Sequence, residues 1–215
     1  MATTSVKEKD FMTVVRERRS VRHYDPAAKI SREELSDMLK EAALAPSSSN
    51  LQPWRFLVFD DPAVKERLLP IANNQKQVVD AAAVIAVLGD VQGYENAPKV
   101  YKAAVEAGYM TKEIAQNMIE RTLTGYPQIG REKLEHIALI DGGLVSMQLM
   151  LAAKARGYDT VPMGGFHADR LMQEFEIPER YVPVMLIAVG KAASPGHPTT
   201  RLPIEDITFW NGFAK

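Results

Sequence analysis

The stretch IALIDGGLVSMQLMLAAKA, residues 137–155, sets the strongest constraint on the fold. It lies inside a helix predicted from Arg131 to Arg156, and apolar side chains occupy nearly every face of that helix. Such a helix must be covered on all sides. In a chain of 215 residues, we expect the chain's own sheet to cover one side and a second subunit to cover the other. A central core helix covered by one chain is the alternative.

On either side of this helix, apolar runs and helix-capping residues alternate. Strands are predicted at Trp54–Phe59, Ala81–Leu88, Asp159–Pro162 and Tyr181–Val189. Shorter helices are predicted at Lys7–Arg18, from a capping box at Ser31 up to Pro46, from Pro62, at Asn73–Val79 and around Asp169–Phe175. No linker or repeat divides the chain, so residues 1–215 are expected to form one α/β unit with at least four strands.

The C-terminal segment is a second apolar feature. Beyond Pro203 it carries Ile204, Ile207, Phe209 and Trp210. Hydrophobic side chains of this size rarely stay in water. The segment is therefore expected to wrap a neighbouring subunit.

Composition excludes several classes of function. The 26 Lys and Arg residues balance 27 Asp and Glu residues, so no basic surface favours nucleic acid or an anionic membrane. The absence of cysteine excludes thiolate catalysis, so redox chemistry would need a cofactor. No signal peptide is recognisable, and the apolar runs Ala81–Leu88 and Val182–Val189 are too short to span a bilayer. A cytoplasmic location is expected.

Motif searches leave two candidate ligand-binding segments. The GxGxxG, GxxxxGK[ST] and GxSxG patterns are absent, and the four histidines lack metal-ligand spacing, so no metal site is expected. Residues 18–22, RRSVR, could bind a phosphate through guanidinium groups and a hydroxyl, or could be a solvated basic patch at a helix end. Residues 46–54, PSSSNLQPW, could line a polar ligand, or could be an ordinary capped connection.

Together, RRSxR and PSSSNLQPW resemble the start of the nitroreductase family. The resemblance continues through NNQKQ at residues 73–77, DGGLVSMQLMLAAKARGYDT at residues 141–160, PMGGF at residues 162–166, and a late arginine, Arg201. Only Gly93 to Pro127 has no recognisable counterpart.

The resemblance implies an α+β fold in which helices flank a central, mostly antiparallel sheet in three layers, and an obligate homodimer with composite active sites. It also implies an FMN-dependent oxidoreductase. Hydride would pass from NAD(P)H to flavin N5, and electrons would then pass, in a ping-pong mechanism, to nitroaromatics, quinones or similar acceptors. The alternatives are another flavin reaction on the same fold (dehalogenation, flavin fragmentation or desaturation), a flavin-binding protein without turnover, and a non-flavin enzyme with a phosphorylated ligand.

The resemblance also assigns FMN-binding positions from both chains. One chain would supply Arg18, Arg19, Ser20, Arg22, Asn74, Gln77, Pro162, Met163, Gly164, Gly165 and Arg201. The partner would supply Pro46, Ser47, Ser48 and Asn50. The one implied catalytic group is the backbone N–H of Gly164, facing N5.

Three positions depart from the best-known enteric-type pattern of the family. Thr199 replaces a second basic residue near Arg201, Arg19 replaces a histidine, and Gly164 replaces an acidic residue. Phosphate binding is therefore expected to depend more heavily on the N-terminal arginines. Preferences for NADH or NADPH and for particular acceptors do not carry over.

Overall fold

A computed structural model describes residues 10–213. Its strands are β1 (Trp54–Phe59), β2 (Ala83–Asp90), β3 (Asp159–Met163) and β4 (Tyr181–Gly190). Its α-helices are α1 (Phe11–Glu17), α2 (Arg32–Ala42), α3 (Pro62–Leu68), α4 (Gln77–Asp80), α5 (Ala97–Glu106), α6 (Lys112–Gly125), α7 (Arg131–Ala155) and α8 (Ala168–Glu174). The strands form one antiparallel sheet in the order β1-β2-β4-β3.

Helices cover both faces of this sheet because the buried side chains of β2 alternate between two cores. Val84 and Ala86 pack in one hydrophobic cluster with side chains of α3 and α8. Ile85 and Val87 pack in a second cluster with side chains of α2 and α7. This arrangement confirms the expected α+β fold, with a central antiparallel sheet between two helical layers.

The start of α2 shows how local chemistry sets a helix boundary. Ser31 caps the helix by accepting a hydrogen bond from the Glu34 backbone N–H at 3.1 Å. The Glu34 carboxylate does not return to Ser31 but accepts a bond from the Tyr158 hydroxyl at 2.8 Å. The predicted capping box is therefore half formed, because a tertiary contact takes its second partner.

Two predicted helices near the ligand-binding segments differ from the structure. The helix predicted at Asn73–Val79 is wrong over its first half, because Asn73 and Asn74 both have φ of 55° and α4 begins only at Gln77. The helix predicted from Lys7 is present as α1, although Lys7 itself lies outside the described residues. The segment at Asn73 and Asn74 therefore enters the site as a turn.

The segment from Gly93 to Pro127, which had no recognisable pattern, folds as the helical pair α5 and α6. Tyr101 and Ala115 bury a small third core together with Leu51. This core is separate from the two that flank the sheet. It attaches the helical pair to the end of the PSSSNLQPW segment.

One face of α7 is exposed in the single chain. Val145 and Leu149 are buried, whereas Ile140 is 64% exposed, Leu144 43% and Met147 41%. These three residues have the i, i+4, i+7 spacing of one helical stripe. Burial all round within one chain is therefore wrong, and so is a core helix that one chain covers completely.

Length and composition alone would also allow α7 to cross a membrane. Its most apolar 18-residue window has a hydropathy of 1.4. The expectation from the two short apolar runs, Ala81–Leu88 and Val182–Val189, therefore did not consider this longer helix. In the structure α7 packs against β2 and β4, as the core helix of a sheet-containing protein does.

The C-terminal segment does not fold back onto its own chain. Leu202, Ile204, Ile207 and Phe209 are exposed, and Trp210 is 84% exposed. Together with the stripe on α7, the segment leaves two apolar surfaces uncovered.

Candidate functional site

The RRSVR segment begins where α1 ends and is anchored to the edge of the sheet. Ser20 forms a parallel bridge with Thr160 in β3, and the Val21 N–H donates to the Thr160 carbonyl at 3.1 Å. Val21 is buried, whereas Arg22 is exposed. Hydrophobic anchoring of alternate residues thus places the polar side chains on the outer side of β3.

Arg18, Arg19 and Arg201 form what we call the arginine cluster. Burial lowers the pKa of Arg18, and the nearby charges of Arg201 and Arg19 lower it further. Within residues 10–213, none of these three guanidinium groups forms an ion pair with a carboxylate. Like charges held together without an acidic partner destabilise one another, and an anion would relieve that repulsion.

Neighbouring backbone and hydroxyl groups orient the cluster. Arg19 donates to the carbonyls of Arg16 and Arg18 at 2.6 and 2.8 Å. Arg201 donates to the Thr199 hydroxyl at 2.7 Å. Thr199, which replaces a basic residue of the enteric-type pattern, therefore holds the remaining arginine.

The PMGGF segment begins with the last two residues of β3, Pro162 and Met163, and its two glycines are exposed to solvent. Gly164 is exposed, a Cβ placed on it would meet no atom within 4 Å, and its N–H donates no bond within the described chain. The Gly165 carbonyl accepts bonds from Asn73 at 2.8 Å and from Gln75 at 3.0 Å. The side-chain amides of Asn73 and Gln75 thus hold the Gly165 carbonyl in place. The N–H of the preceding residue, Gly164, has no acceptor in the described chain.

The left-handed pair Asn73–Asn74 produces this arrangement. Asn73 turns inward to Gly165, while the exposed Asn74 side chain forms no hydrogen bond within residues 10–213. Gln77 is buried, and its amide donates to Gln75 at 2.9 Å and to the Met163 sulfur at 3.5 Å. Asn74 is free to bind a ligand, whereas Gln77 supports the end of β3 in this structure.

We call residues 46–52 the serine loop. It lies between α2 and β1 and contains no glycine. Three of its residues nevertheless have left-handed φ values: 52° at Ser49, 53° at Asn50 and 49° at Gln52. The Ser47 hydroxyl accepts from the Gln52 N–H at 3.0 Å. The Asn50 side chain accepts from that of Gln52 at 3.3 Å, and Asn50 is exposed.

The remaining polar groups of the serine loop point into the protein. The Ser48 N–H donates to both oxygens of Asp141, at 3.2 and 3.1 Å, and its hydroxyl donates to Asp141 at 3.3 Å. The Ser49 carbonyl accepts from the Tyr101 hydroxyl at 2.8 Å, and the Ser49 hydroxyl lies 2.9 Å from that of Tyr126. Ser48, expected to reach the flavin, therefore directs its donors to α7.

Sequence reasoning assigned no role to the residues that hold the two sites in shape. They are Asn73 and Gln75 beside Gly165, and Asp141, Tyr101 and Tyr126 beside the serine loop. One signal was available: Asp141 is the single acidic residue between Ile137 and Ala155. A carboxylate in so apolar a helix indicates a specific partner.

The structure brings the arginine cluster, the end of β3 and Asn74 to one edge of the sheet, but it keeps the serine loop apart. Arg19 lines a cavity of about 320 Å³ with Lys154, near the C-terminal end of α7. Ser48 binds Asp141, 13 residues earlier on the same helix. At a rise of 1.5 Å per residue, Asp141 and Lys154 lie about 20 Å apart along α7.

Comparison with known proteins gives consistent results over nearly the whole chain. The family model described as "Nitroreductase family" matches residues 15–191. A Bacillus subtilis protein provisionally named an NAD(P)H nitroreductase, YdgI, is 48% identical over 95% of this chain and 99% of its own.

Two further relatives bear on the chemistry. A nitroreductase-like protein from Exiguobacterium sibiricum, crystallised in complex with FMN, is 47% identical with a TM-score of 0.92, covering 97% of this chain and 100% of its own. A Lactiplantibacillus plantarum protein named CLA biosynthesis enone reductase is 38% identical over 93% of this chain and 94% of its own.

Proposed function

The chain belongs to the nitroreductase family, and from that premise we propose that it is an FMN-dependent oxidoreductase that uses NAD(P)H to reduce small organic acceptors. The single observation that carries the proposal is the arginine cluster, in which Arg18 lies close to two further cations and none of the three has a carboxylate partner in the described chain. Its relatives include a protein crystallised with FMN and one named for NAD(P)H.

The residues present fit FMN at its phosphate end. Arg18, Arg19 and Arg201 would bind the phosphate, and the Ser20 hydroxyl lies in the same segment. Charge-assisted bonds from guanidinium groups to phosphate are short and strong. Arg22 is exposed without an ion-pair partner in residues 10–213, and it would bind the pyrimidine edge.

The residues present also fit FMN at its flavin ring. The four residue steps from Thr160 to Gly164 cover about 13 Å at 3.3 Å per step, so an elongated ligand could lie along β3 from the cluster to Gly164. The open N–H of Gly164 would donate to N5, with Pro162, Met163 and Gly165 beside the ring. Asn74 would bind the pyrimidine edge, and Gln77 would do so after exchanging one of its present partners.

We further propose that each site is composite within a homodimer. The serine loop binds Asp141, about 20 Å along α7 from Lys154, which lines a cavity with Arg19, so we infer that the loop of one chain does not reach that chain's own cluster. The exposed stripe on α7 and the apolar C-terminal segment supply surfaces for a second copy. Pro46, Ser47, Ser48 and Asn50 would then line the partner's FMN.

When bound, FMN would supply transfer of two electrons from NAD(P)H to an acceptor, and the protein groups would bind, orient and polarise. If Arg22 binds the pyrimidine edge as proposed, its positive charge would favour a reduced, negatively charged ring. Nitroaromatics and quinones are the proposed acceptors. Reduction of an enone is the second candidate, because a relative that is 38% identical is named for it.

Residues 1–215 would act as one FMN-binding unit in the cytoplasm, with neither nucleic acid nor a membrane as a partner. The near-balance of charge supports this, because no broad basic surface attracts a polyanion.

The test is the visible spectrum of the purified protein, followed by rapid mixing with NADH or NADPH. The proposal predicts bound, non-covalent FMN, bleaching of the flavin band by a nicotinamide, and parallel double-reciprocal lines with a nitroaromatic or quinone. A colourless protein that ignores added FMN would contradict it. Bound flavin that no nicotinamide reduces would indicate a storage or sensing role instead.

A further inference from the structure

The serine loop adopts a conformation that its own sequence does not favour. Ser49, Asn50 and Gln52 all have φ near 50°, within four consecutive residues and without a glycine. Residues other than glycine seldom occupy this region, because the Cβ approaches the backbone. Asparagine tolerates it best, and serine and glutamine do so less readily. The loop must therefore be held by contacts outside itself.

Asp141 provides the contact from α7. Its side chain is buried, and within the described chain it forms no ion pair with a cation. Burial raises its pKa, and the bonds from the Ser48 N–H and hydroxyl oppose that rise. A buried carboxylate without a cation is unfavourable unless donors satisfy it. Within the described chain, these donors are the N–H and hydroxyl of Ser48.

The other side of the loop is held by the helical pair. Tyr101 in α5 donates to the Ser49 carbonyl, and Tyr126, directly after α6, contacts the Ser49 hydroxyl. Asn96 donates to the carbonyls of Leu51 and Gln52 at 2.8 and 3.3 Å. These bonds leave Asn50 as the exposed residue whose amide donors are free to face outward.

We propose that Asp141 is a positioning residue for the cofactor site: by binding Ser48 it fixes the left-handed turn that presents Asn50 to the FMN of the partner subunit. This inference rests on the proposed function, because it needs a flavin in the partner's site. Asp141 acts only through the loop. Loss of Asp141 would weaken FMN binding in the partner's site. The arginines of that site come from the partner and not from the chain that carries Asp141.

The experiment compares Asp141→Ala, Asp141→Asn and a matched control, Ser146→Ala, as full-length proteins. Ser146 is also buried in α7 and donates to the Gly142 carbonyl, with no contact to the loop. FMN affinity is measured by flavin fluorescence, and melting temperature is measured with and without saturating FMN. Asp141→Ala is expected to raise the FMN Kd about tenfold. Asp141→Asn keeps one acceptor oxygen and is expected to raise it about threefold, and Ser146→Ala leaves it unchanged.

The difference between the melting temperatures with and without FMN distinguishes a residue that positions the cofactor site from one that only stabilises the fold. A residue that only stabilises the fold lowers both temperatures equally, whereas weaker FMN binding narrows the gap. Folded Asp141→Ala with the wild-type Kd would overturn the proposal. If that variant does not fold, Asp141→Asn with an unchanged Kd and gap would overturn it. Wild-type protein that binds no FMN would instead contradict the proposed function.

Discussion

The arginine cluster and the serine loop satisfy their polar groups in opposite ways. Arg18, Arg19 and Arg201 stand together, and no carboxylate neutralises them within the described chain. The serine loop has no charged residue, and most of its polar atoms are bonded to Asp141, Tyr101 and the loop itself. The arginine cluster lacks a partner for its charges until an anion binds, whereas the serine loop already has its polar atoms bonded.

This difference indicates a division of labour. Unpaired charge supplies affinity for an anion, because guanidinium–phosphate bonds are strong. A loop pre-organised by internal bonds supplies shape, because little ordering remains to be done when a ligand binds. The two regions lie about 20 Å apart along α7, so in our account they meet only across two subunits.

The largest effect is expected from breaking the surface that would join the subunits. Leu144→Glu places a charge in the exposed stripe of α7, and truncation before Ile204 removes the apolar C-terminal segment. Leu144→Glu should abolish the dimer and release FMN, because burying an unpaired charge costs several kcal/mol. The truncation should do the same, because it removes the apolar side chains that would pack on the partner. Light scattering and flavin absorbance measure both effects.

The matched control for this surface is Ile114→Glu, which introduces the same charge at an exposed isoleucine of α6. It should retain dimer and flavin. A Leu144→Glu protein that stays dimeric and yellow would mean that the α7 stripe is not the interface.

A smaller effect is expected from the arginine cluster. Arg18→Ala or Arg201→Ala removes a charge-assisted bond of about 1.5–3 kcal/mol, so the FMN Kd should rise about ten- to a hundredfold. Titration with FMN at low and high salt measures the loss. Arg32→Ala, which removes a surface arginine paired with Asp60, should leave the Kd unchanged. Equal effects in all three variants would exclude a specific phosphate site.

The smallest effect is expected at the outer side of the serine loop. Tyr126→Phe removes one hydroxyl contact to Ser49, at an exposed position where water can replace it. The FMN Kd should change by less than about threefold. Tyr109→Phe, at a hydroxyl without a hydrogen bond in residues 10–213, is the control. A loss at Tyr126 as large as at Arg18 would mean that the outer contact to Ser49, and not the contact from Asp141, holds the loop in its binding conformation.

The strands and most of the helices could be predicted because hydrophobic periodicity is a local signal, whereas the antiparallel three-layer arrangement was implied only by the family resemblance. β1 was predicted to the residue, and β2 was displaced by two residues. The left-handed turns at Asn73 and in the serine loop escaped prediction, because they depend on distant partners such as Gly165 and Asp141. Periodicity carries no information about such contacts.

The site residues divide in the same manner. The arginines and glycines could be proposed as site residues because they lie in short contiguous motifs, RRSVR and PMGGF, that resemble those of the family. The pair α5 and α6 was not recognisable, because its small core is shared with Leu51, far away in the sequence. The sequence shows that apolar residues lie on every side of α7, but only the fold shows which side the sheet covers and which stripe stays exposed.

The measurement that tests the composite site most directly is FMN stoichiometry in a mixed dimer. One chain carries Arg18→Ala and Arg201→Ala, the other carries Ser47→Ala and Asn50→Ala, and two affinity tags isolate the heterodimer. If each site takes its arginines from one chain and its loop from the other, the heterodimer has one intact site. It should bind one FMN per dimer at a concentration where both parent homodimers bind little. A heterodimer that binds as poorly as its parents would place the arginines and loop of each site in one chain and contradict the account.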